Sequence, residues 1–146
     1  MKKMTLNSSN YYSAEANRAY FSVSQYKDFQ KCPAMAMAKL RGEYEPEFGR
    51  ALLLGSYVDE MLTGTDESIK KFLVEHVTDI FKKNGERYAD IQQADETIVR
   101  ILKQPLMMHY LSGEHQTIMT GEIEGVPFKI KRDSFDPEEY IADLKY

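Results

Sequence analysis

A mixed α/β domain of the α+β type is what this 146-residue sequence predicts, and three observations predict it. Apolar residues recur at helical spacing through the first two thirds of the chain. After Gly113 the period shortens to two. Turn residues, Glu124-Gly125 and then Asp136-Pro137, divide that last third into short extended segments. Helices followed by an antiparallel three-stranded meander must bury their apolar faces against one another in a layered domain.

Residues 1–21 hold the polar stretch Asn7-Ser8-Ser9-Asn10 and then Tyr11-Tyr12, and read as an irregular N-terminal arm. Ser22-Val23-Ser24-Gln25 has capping-box spacing and opens a helix, with Tyr26 and Phe29 following at helical intervals. Pro33 disfavours helical geometry at Cys32, so a break is expected there, then a second piece over Pro33–Arg41 stopped by Gly42. A helix from Phe48 to Leu62 is apolar on most sides and should be buried, with Thr63-Gly64 as its stop. Asp66-Glu67 starts another that runs to about Lys83. Ala94–Lys103 reads as a further helix ended by Pro105. Gln116–Ile123, Val126–Asp133 and Tyr140–Lys145 are the expected strands.

Composition sets bounds on function. The chain is 42% apolar and 29% charged, which suits one folded domain rather than a disordered segment. No apolar run approaches the roughly 20 residues needed to cross a bilayer, so no membrane role is expected. The opening Met1-Lys2-Lys3 turns polar at once, so no signal peptide is expected. A single cysteine cannot form an internal disulfide, and a reducing cytoplasm is the default setting. Net charge is −4, but residues 18–50 carry six bases against four acids, whereas residues 51–126 carry seven against thirteen. The first third could therefore meet a polyanion while the middle stays acidic.

Chemistry is concentrated near the end of the chain. On a strand, Asp143 and Lys145 project from one face together with Ile141. A carboxylate is a hard oxygen ligand for Mg²⁺, and an adjacent ammonium can orient an attacking water. Asp133 closes the preceding strand, where the intervening turn would bring it beside Asp143, and two such carboxylates repel unless a cation separates them. The same tripeptide also suits an exposed salt-bridge face. Asp59 stands one helical turn after Gly55, among Tyr57, Val58 and Leu62. Either that glycine admits a partner close to the carboxylate, or it marks a helix crossing beside a solvated stripe. His76, His109 and His115 share no metal-ligand spacing.

Asp133, Asp143-Leu144-Lys145 and Gly55-x-x-x-Asp59-x-x-Leu62 together resemble the PD-(D/E)XK nuclease superfamily, and within it the RecE-like phage-type exodeoxyribonucleases. Ser22-x-Ser24-x-Tyr26-x-x-Phe29-x-x-Cys32-Pro33 resembles the opening helix of RecB-like nucleases. Gly121–Lys129 resembles the hairpin that leads to the first catalytic aspartate. The resemblance spans residues 22–146 and implies a restriction-endonuclease-like core. Carried over, Asp133 and Asp143 bridge metal, Asp59 (where many relatives have His) and the Leu144 carbonyl are further ligands, and Lys145 is the water-positioning base. Lys129, Lys131 and Arg132 are candidates for neutralising DNA phosphates. The implied activity is Mg²⁺- or Mn²⁺-dependent hydrolysis of linear duplex DNA from its ends in phage recombination. A single-strand annealing protein as partner and a homo-oligomeric ring come with it. The alternative is a non-catalytic nuclease-fold fragment serving as a DNA-binding or assembly module. Cys32 is alone, so no iron–sulfur cluster is expected, and a packing role beside Pro33 is. The family continues past Asp-x-Lys with a helix carrying Gln-x-x-x-Tyr. A chain stopping at Tyr146 is therefore expected to lack the C-terminal part and to be inactive by itself.

Overall fold

The computed structural model describes residues 4–145, so the basic opening Met1-Lys2-Lys3 and Tyr146 lie outside it. In chain order the helices are α1 (Ala14–Ala19), α2 (Val23–Lys31), α3 (Pro33–Arg41), α4 (Arg50–Thr63), α5 (Asp66–Glu75), α6 (Val77–Ile80), α7 (Ala89–Leu102) and α8 (Pro105–Tyr110). The strands β1 (Glu114–Ile123), β2 (Val126–Asp136) and β3 (Tyr140–Ala142) follow and form one sheet in that order. This is the α+β class expected. Two compact units are built from these elements, residues 1–47 with 116–131, and residues 48–115 with 132–146.

In the first unit, local sequence dictates most boundaries. The Ser22 side chain accepts the Gln25 N–H and caps α2. Cys32 is extended, as a residue before proline must be, and Pro33 then opens α3 at the position where its missing N–H costs nothing. Gly42 ends that helix with φ of 74°, a left-handed conformation that only glycine adopts cheaply. Cys32 itself is exposed, not the packing residue expected. The arm is less irregular than the sequence suggests. Ser13 accepts the Ala16 N–H and starts α1, which packs on α3 and buries Ala16. The arm also meets the hairpin in a parallel bridge between Phe21 and Phe128 of β2: the Phe21 N–H donates to the Pro127 carbonyl at 2.8 Å, and the Lys129 N–H donates to the Phe21 carbonyl at 2.9 Å. Glu124 and Gly125 both have positive φ, 50° and 80°, as the tight hairpin turn requires.

Lys129 is the unusual residue here. Only 2% exposed, its ammonium donates to the Tyr11 carbonyl and, at 2.7 Å, to Asn17 Oδ1, and it stands 4.5 Å from the centre of the Tyr11 ring. Burial lowers its pKa, because the charged form loses water. Two hydrogen bonds and the face of the Tyr11 ring replace that water.

The second unit is organised around the seam between α4 and α7. Tyr57 and Val58 of α4 meet Ile91, Ala94 and Ile98 of α7, with Ile80 completing a fully buried cluster. Each valine or isoleucine among them contributes roughly 1.5–3 kcal/mol by leaving water. Tyr57 also donates its hydroxyl to Asp95 Oδ1 at 2.6 Å, and Arg87 pairs with the other oxygen of that carboxylate. Arg50 grips both oxygens of Asp90 at 2.6 Å, tying the start of α4 to the start of α7. That hydrogen-bonded pairing holds the Asp90 carboxyl below the usual carboxylate range. Buried only along one side, α4 leaves Leu52 exposed, so it is amphipathic rather than enclosed.

Helix boundaries also depart from expectation. α5 stops at Glu75 because His76 leaves helical geometry, its ring stacked on Phe48 at 5.2 Å and tilted against Phe72 at 4.6 Å. Pro105 does not end a helix so much as begin α8, again at the N-terminal position that tolerates proline. Beyond it, Gly113 lies so close to β2 that a Cβ there would stand 2.6 Å from the Phe135 carbonyl oxygen. Backbone cannot yield as a flexible side chain would. Gly113→Ala should therefore destabilise the protein by about 1–3 kcal/mol, read as a lower midpoint in thermal or urea unfolding, whereas Gly121→Ala, which meets no neighbouring atom within 4 Å, should be nearly silent.

Candidate functional site

Three segments of the second unit supply the candidate residues. Asp59 is carried by α4, half-buried, with Thr63 one turn later on the same face. The Thr63 hydroxyl donates to the Asp59 carbonyl at 2.9 Å and lies 3.3 Å from Asp59 Oδ1, so a buried threonine steadies this carboxylate. Sequence reasoning takes Thr63 only as part of the helix stop, although its four-residue spacing from Asp59 is a signal of the contact. At Gly55 a Cβ would meet nothing within 4 Å. Among the described residues it is thus no helix-crossing point, and the face preceding Asp59 is open.

Asp133 sits within β2, three residues before its end at Asp136, and not at the strand terminus as expected. β3 pairs with the segment just beyond it, in the register Ser134 with Ala142, Phe135 with Ile141 and Asp136 with Tyr140. The third strand then ends at Ala142, short of the expected Lys145. The cause is visible: the Leu144 N–H donates to Asp133 Oδ2 at 2.7 Å, a side-chain bond in place of a ladder bond. Asp143 and Lys145 accordingly do not share a strand face, yet they still meet, with Lys145 Nζ 2.5 Å from Asp143 Oδ2, both largely exposed.

The electrostatics join all four residues. Burial pushes the Asp133 carboxyl up, helped by its hydrogen bond with Asp143 and by the fields of Asp59 and Asp143, while the Leu144 N–H opposes the rise. Lys145 is raised chiefly by its hydrogen bond to Asp143, and further by the fields of Asp143, Asp133 and Asp59. The set therefore consists of three mutually repelling carboxylates with one ammonium at their edge. Every donor in it is a hard oxygen, the kind that suits Mg²⁺ or a similar ion. Among the described residues no three carboxylate, imidazole or thiol groups are already closed to ligating distance.

The basic residues ahead of Asp133 divide. Lys129 is buried and committed to Tyr11 and Asn17, which corrects its assignment to phosphate contact. Lys131 is half-buried with its ammonium 5.3 Å from the Tyr12 ring centre, and Arg132 lies over Phe135 at 3.5 Å. The histidines sit at helix ends or in local contacts, His109 with Glu139 at 3.2 Å and His115 with the Leu111 carbonyl at 2.6 Å.

The crowding of carboxylates makes stability depend on pH. Because the folded-state pKa of Asp133 is raised, the folded protein holds a proton that the unfolded chain has released. Its stability contribution is full at low pH and is lost as pH rises through the folded-state value. Asp133→Asn keeps an acceptor for Leu144 and removes the charge. In chelator at neutral pH it should unfold at a higher temperature than wild type, with the difference vanishing below about pH 4. An unchanged or lower midpoint at neutral pH would contradict the repulsion argument.

The profile of a PDDEXK-like domain of unknown function (DUF3799) matches residues 22–146. The chain is similar to a crystal structure from Eubacterium rectale named "Putative exonuclease", with a TM-score of 0.88 and 45% identity. The match covers 98% of this chain and 55% of that one. The chain thus spans about half the length of that protein. None of the curated proteins is significantly similar to it. With residues 22–146 matched by that one profile, the chain belongs to the PDDEXK-like domain family.

Proposed function

We propose that this chain carries the catalytic centre of a divalent-metal-dependent deoxyribonuclease that hydrolyses phosphodiester bonds from the ends of linear duplex DNA, as RecE-like phage exonucleases do. The observation that carries the reading is the electrostatic coupling of Asp59, Asp133, Asp143 and Lys145, drawn from three separate segments. Asp133 and Asp143, with Asp59 and the Leu144 carbonyl, would hold Mg²⁺ or Mn²⁺. Such an ion neutralises phosphate charge and lowers the pKa of a bound water. Thr63 keeps the Asp59 carboxylate turned to one side of α4. The Leu144 N–H fixes the rotation of Asp133 and so pulls the Asp-x-Lys segment toward β2. Lys145, paired with Asp143, stands where it would orient the attacking water and offset charge on the scissile phosphate. Ring assembly and a single-strand annealing partner belong to the same proposal.

In the full natural chain, Asp133→Ala and Asp143→Ala should each abolish Mg²⁺-dependent cleavage of linear duplex DNA while leaving the circular dichroism spectrum intact. The lost charge neutralisation corresponds to about 10²–10³ in rate or more. Asp59→Ala should cripple the enzyme, and Asp59→His should retain part of the activity. Closed circular DNA should be spared by the wild type. Cleavage by either alanine variant at the wild-type rate would remove the assignment, and attack on circles would make the enzyme an endonuclease.

DNA affinity should be indifferent to sequence and should fall steeply with salt, because bound cationic side chains release counterions from the phosphates. Titration of unrelated duplexes across about 50–200 mM salt, in chelator, measures both properties. A strong preference for one sequence, or a flat salt response, would count against an end-processing enzyme.

A further inference from the structure

The first unit contains a groove of about 490 Å³, a size in which small ligands are commonly held. Tyr12 and Tyr44 wall it while remaining 70% and 44% exposed, so broad aromatic faces are kept open to solvent inside a concavity. Asp28 and Lys39 neutralise each other at 2.8 Å on its lining. Lys131 is different: it lines the groove without a carboxylate partner among the described residues and stands against Tyr12. Gln25 is the most telling residue. Its Nε2 donates to the Asn17 carbonyl at 2.7 Å, which fixes the amide orientation and leaves Oε1 as the free end. That oxygen is buried and has no hydrogen-bond partner among the described residues. A buried acceptor of this kind is costly until a donor reaches it.

We propose that this groove binds an unpaired nucleobase of a DNA strand, stacked on Tyr12 and Tyr44, with Gln25 Oε1 accepting an N–H from its pairing edge. The inference rests on the nuclease reading and deepens it, since it names the form of substrate that the chain grips. All four DNA bases carry at least one N–H on the pairing edge, so a single acceptor serves every sequence. In a duplex that edge is occupied by the opposite strand, so the same acceptor selects unpaired nucleotides. Aromatic faces stack on any base, and Lys131 supplies positive charge for an adjoining phosphate. A peptide segment would also bring N–H donors, but only a nucleotide brings a flat stacking face and an anion in every residue.

The test uses the full natural chain in chelator, so that binding is separated from cleavage. Fluorescence anisotropy compares a labelled oligothymidylate with an abasic sugar-phosphate oligomer of the same length. Wild type should prefer the base-bearing strand by about fivefold or more. Tyr12→Ala and Tyr44→Ala should each remove most of that preference, Tyr12→Phe should keep it, and Gln25→Met should weaken it. Tyr12 is exposed enough that its truncation spares the fold, which a thermal melt verifies. Cleavage of linear duplex DNA is measured separately with Mg²⁺. Equal affinity for the two strands in a protein that cleaves DNA overturns the groove assignment and leaves the nuclease reading standing. A base preference removed by these variants in a protein that never cleaves supports the groove and overturns the catalytic reading.

Discussion

Everything in the second unit depends on the rotation of α4 about its own axis. The helix must turn Leu53, Tyr57 and Val58 inward and still present Asp59 beside two other carboxylates. These demands are compatible because residues two apart on a helix face nearly opposite ways. Apolar contact with α7 fixes the rotation only loosely, since hydrophobic attraction has no direction. The Tyr57 hydroxyl on Asp95 and the two-pronged Arg50 grip on Asp90 supply the missing direction. The core of this unit and the placement of Asp59 are therefore one arrangement seen from two sides.

Local rules carried much of the fold. Cys32-Pro33 and Gly42 delimit α3 where the sequence places its ends, because proline and glycine act through their own backbone and need no neighbour. Glu124-Gly125 makes the hairpin for the same reason. The misread boundaries share a different origin. His76 interrupts a helix that propensity would continue, since two phenylalanine rings claim its imidazole. Ala142 ends a strand that alternation would extend, since a carboxylate eleven residues upstream of Leu144 captures its N–H. Neither partner can be named from sequence spacing.

The candidate site shows the same division. Residue types and their order point to Asp59, Asp133, Asp143 and Lys145, and the fold brings these within each other's fields. Thr63 and Lys129 mark the limit of that reading. A threonine at a helix end looks like punctuation until its hydroxyl is found on a carboxylate. A lysine beside other basic residues looks like part of a polyanion surface until its ammonium is found inside, on a carbonyl and an amide oxygen.

The buried bonds of Lys129 also order events in time. Its partners Tyr11 and Asn17 emerge from the ribosome more than a hundred residues before it does. The first unit closes around a segment that comes after most of the second in the chain, and the second is itself finished only by residues after 131. The two units interleave along the sequence. Contacts this distant in sequence carry a large loop-closure entropy and slow folding. The helices of the amino-terminal third must therefore wait, partly assembled, until the hairpin is made. No cut between residues 47 and 116 separates one whole unit from the other.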